Sequence, residues 1–161
     1  MNKGIICTIA PRTPFIEETL YLYFHITLGQ RPNPTDKTKL FIPLPQEKAE
    51  KLERHFAMHL PGEVLLKVEK DSIQWNKFYP FGTREDAPLR GTRIGELVHH
   101  AIVEHLADNY PNRKIYHTEG ISDKRRQQLL RMQLDPIETY EIETYRHITR
   151  KHMEKEHGMH F

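Results

Sequence analysis

Arg90-Gly91-Thr92-Arg93-Ile94-Gly95-Glu96-Leu97-Val98 sets two glycines and a threonine at the start of a long amphipathic helix. Leu97, Val98, Ala101, Ile102, His105 and Leu106 recur at helical spacing and form one stripe, which the polar run Asn109 to Asn112 ends. Lys114-Ile115-Tyr116-His117 follows as a short strand. Ser122 and Asp123 supply a cap and a first-turn acid for a second helix running to Gln133, and Asp135-Pro136 ends it. Tyr140, Ile142 and Thr144 then alternate with Glu141, Glu143 and Tyr145, the pattern of a strand buried on one face. The order loop, helix, strand, helix, strand from Leu89 to Tyr145 predicts a single α+β domain, one mixed sheet flanked by helices.

Upstream, Val64, Leu66 and Val68 alternate, a turn falls at Lys70-Asp71, and Ile73 and Trp75 resume the alternation, which predicts a hairpin. A helix is expected after Pro45, where Ala49, Leu52, Phe56 and Leu60 share a face and Pro61-Gly62 stops the run. The stretch Gln30 to Lys37 reads as a loop, and Gly4 to Ile9 as a short strand. Thr13 to Leu28 stays open: Thr13-Pro14 is a helix start, while Tyr21 to Thr27 is rich in strand-forming residues. Residues 1–88 thus form a strand, helix and hairpin part, residues 89–150 the loop-helix-strand-helix-strand unit, and residues 151–161 a charged tail of the same domain.

Composition narrows the function classes. No apolar run approaches the roughly 20 residues of a membrane span, so no membrane partner is expected. The apolar stretch near Ile5 is too short for a secretory leader, and the lone Cys7 makes no intrachain disulfide; both fit a cytoplasmic protein. A net charge of +2 lacks the basic excess of a dedicated nucleic-acid binder, and the basic face Lys124, Arg125, Arg126 and Arg131 has no interleaved aromatics.

The segment at Gly91 and Gly95 carries chemistry of its own. A helix N-terminus presents unsatisfied N–H groups and a positive dipole end, and flanking arginines add charge, so an anion such as a pyrophosphate is favoured there. Glycines that merely serve a turn and close packing are the alternative. With the elements that follow, this stretch resembles the GNAT superfamily of N-acetyltransferases over residues 89–153. The resemblance implies acetyl-CoA or another acyl-CoA as cofactor, held by Arg90, Gly91, Thr92, Arg93, Ile94 and Gly95 with Ser122 and Arg126, and a small-molecule or protein amine as acceptor. It implies His117 and Glu119, at the end of the central strand, as candidate bases. Arg93 stands at the family's central loop glycine, and Leu129 where the family often has a tyrosine acid.

A rival reading starts from His25-Ile26-Thr27 and His147-Ile148-Thr149, which put histidine and threonine on one face if each is a strand. This resembles the two-lobed 2H phosphoesterases and implies cyclic phosphates or RNA ends as substrates. A non-enzymatic binding domain or viral accessory domain is the third reading. No metal site is expected. His55 and His59 share a helix face, but Phe56 stands where His-Glu-x-x-His requires glutamate, and His152, His157 and His160 lack a carboxylate at recognised spacing.

Overall fold

The alternation through Val64 to Trp75 builds the antiparallel hairpin at the centre of the molecule. The computed structural model describes residues 2–12, 19–58, 62–80 and 93–161, with backbone only at Arg12 and residues 55–58. In chain order the elements are β1 (Lys3–Arg12), β2 (Leu20–Gln30), β3 (Lys39–Pro43), α1 (Gln46–Met58), β4 (Gly62–Val68), β5 (Ser72–Tyr79), α2 (Ile94–Asn109), β6 (Lys114–His117), α3 (Asp123–Arg131), β7 (Tyr140–Glu141) and α4 (Ile142–His157). The chain is an α+β domain with one seven-stranded sheet in the order β3-β1-β2-β4-β5-β6-β7. Every neighbouring pair is antiparallel except β5 and β6, which run parallel and are joined through α2.

The core is one cluster that joins sheet and helices. It includes Ile5, Leu22, Phe24 and Ile26 from β1 and β2, Val64, Leu66, Ile73 and Trp75 from the hairpin, and Val98, Ile102 and Leu106 from α2. Each such aliphatic side chain contributes about 1.5–3 kcal/mol by leaving water. α2 is buried on more than one side because it packs between the sheet and α4. Its polar residues Glu96, His99 and His100 are therefore also buried, and burial obliges them to find partners within the protein.

Three sequence expectations meet the structure directly. The segment left open between helix and strand is strand from Leu20 to Gln30, and residues 13–18 lie outside the described residues. The strand expected from Tyr140 to Tyr145 ends at Glu141, and the chain turns into α4. Ile142, Tyr145, Thr149, His152 and Met153 are its buried positions, so the helical period overrides a short alternation. Ser122 caps α3 as expected, accepting from the Arg125 amide at 3.2 Å, and the helix ends at Arg131, short of Gln133.

Gly62 marks where β4 approaches the end of β5 most closely. A Cβ added there would lie 1.9 Å from the Pro80 carbonyl oxygen. Gly62→Ala should cost about 3 kcal/mol, because backbone rather than a side-chain tip must move. At Gly120, with φ of 79° and nothing within 4 Å, alanine should cost only about 1 kcal/mol of backbone strain. Urea unfolding of both variants measures the difference, and equal costs would contradict the close approach at Gly62.

Candidate functional site

Among the described residues one strand pair is parallel, and it parts company midway along β5. β5 and β6 stay in register from Ser72 opposite Lys114 to Trp75 opposite His117. Thr118 then closes the pair, its amide donating to the Trp75 carbonyl at 3.2 Å and its hydroxyl to the Asn76 carbonyl at 3.5 Å, and β5 runs on past the end of β6 to Tyr79. The C-terminal ends of parallel strands are where open α/β sheets bind ligands. Five elements deliver side chains to this fork: Trp75 and Phe78 from β5, His99 from α2, His117 from β6, Arg125 from α3 and Tyr145 from α4.

Aromatic packing organises the cluster. The Trp75 ring stacks with that of His99 at 4.8 Å between centroids and with that of His117 at 5.7 Å. The Arg125 guanidinium lies 3.8 Å from the Phe78 ring centroid and 5.0 Å from that of Trp75. Cation–π contact partly compensates a buried cation. Arg125 donates to Gln128 Oε1 at 2.6 Å and to His99 Nδ1 at 2.9 Å. Among the described residues no carboxylate pairs with it.

The protonation pattern follows from this burial. Desolvation, with the Arg125 charge behind it, pushes the His99 imidazole well below its usual range and the His117 imidazole down to about 3. Burial lowers Arg125 to about 10 and raises the Tyr145 phenol. At neutral pH the site thus holds one cation, two neutral imidazoles and a protonated phenol. Tyr145 Oη and His117 Nε2 share a hydrogen bond at 2.9 Å. His99 receives the Arg125 proton at Nδ1, so its own proton sits on Nε2.

Three buried polar atoms of the cluster have no partner among the described residues: Trp75 Nε1, His99 Nε2 and Arg125 Nε. All three are N–H groups, whose need is for an acceptor. A buried donor without an acceptor costs about 1–3 kcal/mol, so the cluster favours a ligand rich in acceptor oxygens.

The sequence candidates divide. His117 enters the cluster, whereas Glu119, two residues on, is exposed beside the Gly120 turn. Arg90, Gly91 and Thr92 lie outside the described residues. Arg93 has φ of 58° and pairs with Glu156 of α4, so its guanidinium is directed at that carboxylate. Ile94 is in the core, Gly95 lies in the first turn of α2, and Ser122 uses its oxygen as a cap. Arg126 is half-buried and next to Arg125. Leu129 is fully buried, and a phenol reaches the fork instead from Tyr145, thirteen residues after Met132 ends α3.

The two His-x-Thr segments do not face each other as strands. His25 is exposed on β2, but His147 is in α4, where residues two apart point to nearly opposite sides, so His147 is exposed and Thr149 buried. His59 and the side chain of His55 lie outside the described residues. Trp75, His99 and Tyr145 carry no motif because they are scattered over three elements with no shared spacing, and Arg125 reads from sequence only as part of the basic face with Lys124, Arg126 and Arg131.

No family model, curated protein or solved structure matches the chain.

The lowered imidazole pKa values set a pH dependence. The folded chain binds these protons more weakly than the unfolded chain, so stability is full above pH 6.5 and lost as pH falls from 6.5 toward 3. Each such group steepens the loss by up to about 1.4 kcal/mol per pH unit. Thermal melts between pH 7.5 and 4.5 should show a falling Tm, with a shallower fall in His117→Gln and an unaltered one in the exposed His25→Gln. An unchanged slope in His117→Gln would contradict the burial of a neutral imidazole.

Proposed function

We propose that this chain is an acyl-CoA-dependent N-acyltransferase with its transfer centre at the fork between β5 and β6. One observation carries the reading: among the described residues, a buried guanidinium without a carboxylate is grouped with two further unpartnered N–H donors where the one parallel strand pair diverges. The order α2, β6, α3 adds support, being the helix, strand, helix order of the resemblance to the N-acetyltransferases.

The residues present fit a thioester. When bound, acyl-CoA would supply a carbonyl for an amine to attack and a thiolate to leave. The Trp75, His99 and Arg125 N–H groups are suited to polarising an acyl oxygen, and donors aimed at a developing oxyanion are worth about 3–4 kcal/mol each when preorganised. Tyr145 holds the proton that a departing sulfur requires. His117, neutral and hydrogen-bonded to Tyr145, keeps that phenol oriented and does not act as the base. Glu119, exposed just beyond, is the candidate to take a proton from the acceptor amine. The stacked Trp75 and His99 rings, with Phe78 edge-on to both, exclude water from the cluster.

Calorimetry with acetyl-CoA tests the proposal. Wild type should bind, and Arg125→Met should weaken binding by about 10- to 100-fold, the worth of a lost charge-assisted hydrogen bond. The same variant should change the stability of the ligand-free protein by less than about 2 kcal/mol, because an apolar side chain replaces an uncompensated buried charge. No binding at millimolar ligand, or equal affinity in Arg125→Met, sinks the reading and leaves the non-enzymatic alternative.

A further inference from the structure

A second polar cluster lies about one turn from His99, at the N-terminal end of α2. Glu96, in the first turn of α2, is fully buried. Its Oε2 receives Arg131 of α3 through Nε at 2.8 Å and an Nη at 2.7 Å. His152 and His157 of α4 both aim Nε2 at the other oxygen, Oε1, at 2.5 and 3.0 Å. We propose that Glu96, His152 and His157 form a binding site for a divalent first-row transition-metal ion such as zinc.

Four observations favour this over a purely structural network. Arg131 alone already neutralises the carboxylate, so two further imidazoles exceed what charge balance requires. Both imidazoles converge on one oxygen, and the three ligand atoms lie within 4.8 Å of one another. Zinc at about 2.0–2.2 Å from each would need them about 3.4 Å apart, a shift within side-chain freedom. Arg131 fixes Oε2 and directs Oε1 at the two imidazoles, the orienting role that outer partners play around metal ligands. Finally, His152 and His157 sit in the last turns of α4, whose C-terminal dipole end favours a cation.

Two imidazoles and a carboxylate suit zinc or ferrous iron rather than calcium or magnesium, which prefer all-oxygen sets. The side chains of Glu96, His152 and His157 are 0%, 5% and 10% exposed, so the ion would be enclosed and would tie the start of α2 to the end of α4. Helical residues five apart lie about 140° from each other around the axis. His157 joins the set only because it is the last residue of α4, where Gly158 with φ of 63° turns the chain.

The test uses the full chain, stripped with chelator and titrated with zinc chloride. One tightly held ion per chain and a rise in Tm of about 5 °C are expected. His157→Ala should lose at least tenfold in affinity and the whole thermal rise, whereas His147→Ala, exposed on the same helix, should lose neither. X-ray absorption of the zinc-loaded wild type, which needs no variant, should fit two imidazoles and one carboxylate with any remaining ligand from water. Absence of tight uptake, full binding in His157→Ala, or a shell of three or more imidazoles would overturn the proposal. None of these readouts depends on acyl-CoA binding.

Discussion

A guanidinium removed from water costs several kcal/mol unless something of opposite polarity meets it. Arg125 is that guanidinium here: it is 7% exposed, sandwiched against Phe78 and Trp75, and supplied only with the neutral acceptors Gln128 and His99 among the described residues. Its neighbours take their character from it. It holds His99 in one tautomer, and its charge keeps His99 and His117 neutral after burial has lowered them. An acceptor-rich, anionic ligand is what such a cluster lacks.

α2 links the two polar clusters. Because the helix is packed on more than one side, both Glu96 and His99 are interior, three residues apart, yet they serve different neighbourhoods. Glu96 faces Arg131, His152 and His157, while His99 faces Trp75, Arg125 and Tyr145. Burial alone raises a carboxyl, but at Glu96 the hydrogen bonds from His152, His157 and Arg131 outweigh it and hold the group below its usual range. The helix therefore carries an ionised acid in its first turn and a neutral base one turn further on, each fixed by α3 and α4.

Much of the fold was legible because its signals are local. Alternation through Val64 to Trp75, the Ser122-Asp123 helix start and the short strand before it each depend on residues within one element. β3 offers only the three-residue apolar run Leu40-Phe41-Ile42, too short to tell strand from loop, and it gains its structure by pairing along β1. α4 was misread because Tyr140, Ile142 and Thr144 imitate a strand for five residues, while its true stripe needs the span from Ile142 to Met153 to emerge. The sites were less legible for the same physical reason. His117 ends a readable strand, but Arg125 and Tyr145 acquire their roles only from a tertiary arrangement, and Glu96 is 56 residues from His152.

Arg125 awaits an acceptor at the fork, and the proton on its Nε, which has no partner among the described residues, reports on that directly. In a 15N-edited NMR spectrum the Arg125 Nε–H signal, assigned by its loss in Arg125→Lys, should move saturably as acetyl-CoA is added. An Arg125 signal that stays still while signals elsewhere in the chain shift would contradict the account.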